Sequence, residues 1–132
     1  MAKAKKVKQL SFEMPDRPGL LSEVTSAVSE AKVNITAICA YGMEGKAYFM
    51  LTTDSNAAAK KRLAKLGVTT KEEEVFAVEM ANKAGELRNA AKALAGAGIN
   101  INYMYGTAAA GKTAVCVFST SDDKKAIKAI NK

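Results

Sequence analysis

Histidine and tryptophan are absent from this chain of 132 residues, which holds only two prolines and two cysteines and is 6% aromatic. Without histidine the commonest general base is missing, and with it every His-dependent triad and the usual zinc sites. The carboxylates offer no replacement: Glu72, Glu73 and Glu74 are consecutive, so on a strand they cannot converge on one face, and they read as a solvated turn. A phosphate-cradling glycine loop is missing too, because Gly96 and Gly98 fall at a helix end, where glycine serves as a C-cap. No apolar run approaches the roughly 20 residues that cross a bilayer. The residues therefore point away from catalysis, and no cofactor, metal or membrane span is expected.

What is present is ordinary for a globular protein: 48% hydrophobic and 25% charged residues. The net charge of +7 comes from the lysine-rich start, from Lys60, Lys61, Arg62 and Lys65, and from Lys124, Lys125, Lys128 and Lys132. Most of these fall on polar faces of predicted helices, which reads as solvation. The basic start runs straight into a strand-like segment with no apolar core or cleavage site, so the chain is expected to be cytoplasmic.

The chain says nearly the same thing twice. At an offset of 66 residues, Asp16-Arg17-Pro18-Gly19 falls on Asn82-Lys83-Ala84-Gly85, Val33-Asn34-Ile35 on Ile99-Asn100-Ile101, and Gly45-Lys46 on Gly111-Lys112. A repeat this long is one compact unit, not a solenoid coil. Cys39 then matches Tyr105 and Cys116 matches Met50, which argues against a shared metal or redox role and for two reduced, buried thiols.

Within the first copy, Val7 to Met14 alternates as a strand does. Pro18 suits a first helical turn, and Leu21, Val24, Val28 and Ala31 form an apolar helix stripe. Val33 to Tyr41 and Lys46 to Thr53 read as strands joined by a hairpin turn at Gly42 to Gly45. Asp54-Ser55-Asn56 caps a helix carrying Ala59, Leu63 and Leu66, which stops at Gly67. Val68 to Glu72 is a short fourth strand leading into Glu74 to Met80. The second copy repeats the pattern with Leu87, Ala90, Leu94 and Ala97 on its first helix, strands at Ile99 to Tyr105 and Thr113 to Thr120, and a helix after Ser121-Asp122-Asp123. The order βαββαβ is the α+β, ferredoxin-like arrangement, an antiparallel sheet with two helices on one side. The division expected is 1–71 and 72–132, with no closing strand visible in the second copy.

Binding chemistry concentrates in the matching loops. Asp16 to Leu21 places a carboxylate and then a glycine at a helix start, whose N–H groups and dipole attract anions such as a ligand carboxylate. The bland alternative makes Asp16 a helix N-cap and Asn34 a turn residue.

Asp-Arg-Pro-Gly-Leu-Leu at a helix start, followed about fifteen residues later by Val-Asn-Ile at the next strand, resembles the ACT domain, a small regulatory module that binds amino acids. The resemblance runs from about Val7 to Lys71 and again from about Glu72 to Lys132. It implies a regulatory or sensing role, with an amino acid held at the interface between two ACT units by the strand-to-helix loop of one and the Asn-containing second strand of its neighbour. By position the residues implied are Asp16, Arg17, Pro18, Gly19 and Leu20 with Asn34 and Ile35, and in copy two Asn82, Lys83, Ala84, Gly85 and Glu86 with Asn100 and Ile101. Copy two departs from the pattern at Asn82-Lys83-Ala84 and at Glu86. An enzyme of amino-acid metabolism is the implied partner.

The competing class is RNA binding, because the same architecture serves the RRM and Gly45-Lys46-Ala47-Tyr48-Phe49-Met50-Leu51 echoes its third-strand motif. Adjacent Tyr48 and Phe49 point to opposite faces of a strand, however, whereas base stacking needs its aromatics on one. Two further expectations concern assembly. The two units, joined without a linker, should pack side by side, and the apolar second strand predicts a homodimer.

Overall fold

The structure, a computed structural model, describes residues 2–108 and 111–132. Along the chain come β1 (Lys3–Pro15), α1 (Leu20–Glu30), β2 (Ile35–Met43), β3 (Lys46–Thr53), α2 (Asn56–Ala64), β4 (Lys71–Ala81), α3 (Glu86–Gly96), β5 (Ile101–Ala108), β6 (Thr113–Thr120) and α4 (Asp123–Asn131). They form two ferredoxin-like units of the α+β class. One comprises Lys8–Glu73, the other the residues up to Val7 together with Glu74–Lys132.

In the unit Lys8–Glu73 the strand order is β2-β3-β1, antiparallel throughout. Cross-strand register sets Leu10 opposite Leu51, Phe12 opposite Phe49 and Met14 opposite Ala47, so alternation puts all six on one face. Against that face pack Leu20, Val24 and Val28 of α1 and Ala59 and Leu63 of α2. The Phe12 and Phe49 rings stack with centroids 5.0 Å apart. The β2–β3 turn is Glu44-Gly45, with φ of 52° and 80°; positive φ at both central residues is what the tight I′ hairpin requires.

In the other unit the order is β4-β6-β5, and the core joins Phe76, Val78 and Met80 to Ala90 and Leu94 of α3 and Ala126 of α4. Here Phe76 and Phe118 pair and stack, 5.4 Å between centroids, while the next pair toward the loop is Val78 opposite Cys116. The large pair has moved one step along the ladder: copy one has Leu–Leu where copy two has Phe–Phe, and Phe–Phe where copy two has Val–Cys. Volume is traded between neighbouring layers, a swap that a close-packed core tolerates. This unit also holds the start of β1. Ala4 is buried in its core, and the Asn131 amide clamps the Ala4 backbone, accepting from its N–H at 2.7 Å and donating to its carbonyl at 2.9 Å.

Several expectations change in detail. Val68 to Glu72 is not a separate strand: β4 is continuous from Lys71 to Ala81, because neither glycine nor proline interrupts it. Glu72 to Glu74 accordingly lie in a strand, not a turn; Glu72 accepts from Asn56 at 3.2 Å and Glu73 from the Ser11 hydroxyl. The apolar helix stripe begins one residue earlier, at buried Leu20, and Leu21 and Leu87 are exposed. Pro18 precedes the capping glycine instead of standing in the first turn. The offset between copies also slips. Four residues separate the paired Gly42 and Ala47, but five separate Ala108 and Ala114, so beyond the hairpin Lys46 matches Thr113, and Cys116 matches Phe49 instead of Met50. The cysteines remain non-equivalent.

Candidate functional site

Between β1 and α1 the chain turns through Asp16, Arg17, Pro18 and Gly19. Gly19 is the N-cap of α1 at φ 85°, a left-handed conformation that glycine adopts without steric cost. No side chain caps this helix; the Leu20 N–H donates to the Arg17 carbonyl at 3.4 Å, and the Leu21 and Ser22 N–H groups that follow keep their capacity to bind an acceptor. Asp16 is therefore not the N-cap that the bland reading made it. Its backbone N–H donates to the Gly45 carbonyl at 3.0 Å, fastening the loop to the β2–β3 turn.

This stitching produces a cleft of about 270 Å³ in the unit Lys8–Glu73, open to solvent. Asp16, Arg17, Gly19 and Leu20 line it from the loop, and Tyr41 and Gly42 from β2. Buried Ala47 and Phe49 add apolar surface. The Asp16 carboxylate is exposed and has no hydrogen-bond or ion-pair partner among the described residues. Arg17 is engaged: both its terminal nitrogens meet the Glu23 carboxylate, Nη2 donating to Oε1 at 2.8 Å and Nη1 to Oε2. The hydrogen bond to Arg17 holds the Glu23 carboxyl below its ordinary value, and the same bond raises Arg17. The charge left open in the cleft is thus negative.

Four of the expected residues of copy one, Asp16, Arg17, Gly19 and Leu20, meet in this cleft; Pro18 is an exposed residue of the same turn. Asn34 and Ile35 are not among its lining residues. Asn34 is tied to the β3–α2 turn, donating its N–H to Asp54 Oδ1 at 3.0 Å and accepting from the Asp54 N–H at 3.1 Å, and Ile35 packs on the core. Asn100 repeats the arrangement with Ser121, at 3.1 and 2.9 Å, and Ile101 packs on the second core.

The loop of copy two has the same backbone and different chemistry. Gly85 caps α3 at φ 90° without a side-chain bond. Asn82 donates its N–H to the Lys112 carbonyl at 2.9 Å and its side-chain amide to the Gly111 carbonyl at 3.0 Å. Lys83 and Ala84 are exposed and Glu86 is half-buried, where its counterpart Leu20 is fully buried. Sequence reading missed Gly42, Tyr41 and Phe49 as cleft residues. Gly42 carried a detectable signal, because it and Asp16 are both replaced in copy two, by Ala108 and Asn82.

Of the aromatics in the RRM-like stretch, Phe49 is buried against Phe12, and Tyr48, on the other face of the strand, stacks on Tyr41 with centroids 5.2 Å apart. Among the described residues no group of His, Cys, Asp or Glu could hold a metal ion, and no helix is long and apolar enough to cross a membrane.

Comparisons with known proteins agree on the fold. A crystal structure of a Bacteroides thetaiotaomicron protein superposes with a TM-score of 0.87 at 25% identity, covering 97% of this chain and 88% of that one. The ligand-free regulatory subunit of aspartate kinase from Thermus thermophilus superposes with a TM-score of 0.68 at 14% identity, covering 98% and 94%. The corresponding subunit from Thermus flavus gives 0.65 at 17% identity, again covering 98% and 94%. No curated protein matches the chain. The family model for the ACT domain pair matches residues 5–132, and with the doubled fold and its paired glycine-capped loops the chain belongs to that family.

Proposed function

We propose that this chain is a non-catalytic, cytoplasmic regulatory protein that binds a free amino acid at the β1–α1 loop of its first ACT domain, the domains being taken as 1–71 and 72–132. The observation that carries the reading is the unpartnered Asp16 carboxylate lining an open cleft at an uncapped helix start. A zwitterion needs N–H donors for its carboxylate and an anionic or amide oxygen for its ammonium, and these two features offer both within one loop. The apolar surface of Leu20, Ala47 and Phe49 suits the ligand's side chain. The cleft's open side is closed, in this proposal, by the Asn and Ile that begin the second strand of an adjoining ACT unit, Asn34-Ile35 or Asn100-Ile101. The neighbours described as regulatory subunits of aspartate kinase make an enzyme of amino-acid metabolism the natural partner class.

A homodimer belongs to the same proposal. Equivalent positions of the two copies expose large apolar side chains: Leu21 at 54% and Leu87 at 47%, Ile38 at 39% and Met104 at 36%. Large apolar side chains exposed at the same positions of both copies suit burial against a symmetric partner.

The test is a thermal-shift screen with each of the twenty protein amino acids. A ligand that binds only the native state raises the apparent stability, so one or a few of the twenty should raise Tm in proportion to the logarithm of concentration. A panel with no shift at millimolar concentration would contradict the reading.

A further inference from the structure

A β-carbon built on Gly42 falls 2.9 Å from Asp16 Oδ2 and 3.7 Å from its Cγ, nearer than the Lys46 carbonyl oxygen at 3.8 Å. Gly42 does not have a positive φ, so its backbone would accept alanine, and the conformational freedom of glycine does not explain it. What the missing side chain does is leave space that the Asp16 carboxylate occupies. The two copies differ at both positions together. Copy two has Ala108 on the strand and Asn82 in the loop, and the Asn82 amide is turned onto the Gly111 carbonyl, a donation that a carboxylate cannot make.

We propose that Gly42 is a positioning residue for ligand specificity: by lacking a side chain it lets Asp16 present its carboxylate at the cleft, and this makes copy one the copy that recognises an ammonium group. The inference rests on the amino-acid-binding reading above and adds to it a residue, a stoichiometry and a direction of preference. Copy two, which has a neutral amide in place of the carboxylate and its NH2 group turned onto its own hairpin, is the weaker acceptor for an ammonium. Each chain then binds one amino acid through a carboxylate-bearing loop, not two.

The experiment is isothermal titration of the twenty amino acids, one at a time, into the full chain and into Gly42→Ala, Asp16→Ala and the double variant. Circular dichroism and Tm serve as controls that each variant is folded. Amino acids that give heat with the parent should do so at one site per chain. Gly42→Ala should weaken them about tenfold or more, as expected when a bond to a charged group is misplaced. Because Gly42 acts through Asp16, the double variant should bind no more weakly than Asp16→Ala alone, the non-additivity that marks coupled residues. A merely structural role for Gly42 would give additive losses, so additivity overturns the inference while leaving the binding reading intact. Binding by Gly42→Ala as tight as the parent's, or two equal sites per chain, overturns it in the same way. No heat with the parent for any of the twenty removes the reading and the inference with it.

Discussion

Arg17 and Glu23 show how one residue's commitments shape a site. Their paired hydrogen bonds neutralise the loop's only cation where it lines the cleft, although both side chains are exposed. The Glu23 carboxyl lies below its ordinary value of 4.5 in the folded chain, chiefly through its hydrogen bond to Arg17. A depressed carboxyl contributes stability that is fully present above the ordinary value and lost as pH falls through the folded one. The ion pair should therefore persist at pH 5 and open only in stronger acid. An NMR titration of the Glu23 side chain checks this, since its inflection should rise in Arg17→Ala, and an unchanged inflection would dissociate the two groups. Cys116 is the opposite case, a buried thiol whose burial pushes its pKa up. A protonated, covered sulfur is a poor nucleophile, so Cys116 should react with a disulfide reagent only after denaturation. Reaction of Cys116 in the native protein at neutral pH would contradict this. Of the two thiols expected to be buried, Cys116 is and Cys39, on the edge strand β2, is only half-buried; the reason Cys116 is tolerated was not legible in the sequence, because its partner across the ladder lies ten residues away in the chain.

That partner is Gly106, which stands opposite Cys116 between β5 and β6. A β-carbon on Gly106 would meet the Cys116 sulfur at 2.9 Å. Gly106→Ala should therefore cost about 1–3 kcal/mol, the usual penalty of overpacking, and Cys116→Ala should restore most of it. Chemical denaturation of the single and double variants measures both, and a loss that the second change does not relieve would show that the contact is not the cause. Strands of this kind were legible because alternation and glycine turns are local signals; the β6 limits, Thr113–Thr120, match what the residues predict, while the hairpin expected at Gly42 to Gly45 narrows to Glu44-Gly45 because β2 stays paired through Met43. The start of α1 was less so, because Leu20 and Leu21 differ by one position and only packing decides which is buried. The one-residue slip in the second hairpin was illegible at a constant offset, since Gly-Lys recurs at 66 while the strand beyond it has moved to 67.

Taken as a molecule, the chain is a duplicated ACT fold in which the copies kept their backbone and diverged at their loops. The duplication, the fold and the first loop could be read from the sequence, because repeats preserve glycines and apolar faces together. The cleft could not, because Asp16 and Gly42 come together only when the hairpin folds back on the loop. As a homodimer the protein should scatter light at twice its 13.9 kDa chain mass at micromolar concentration, and a charge at Leu21 or Ile38 should shift it toward the monomer. A parent that is monomeric at that concentration would remove the dimer from the account. The claim at the centre is that the Asp16 loop holds a free amino acid, and calorimetry on the parent and on Asp16→Ala tests it most directly. The account predicts saturable heat with at least one amino acid and a loss of about 10- to 100-fold in affinity on removing the carboxylate, with Lys5→Ala in the basic N-terminal segment binding as the parent does. An Asp16→Ala variant that binds as tightly as the parent would contradict it and return the loop to a purely structural role.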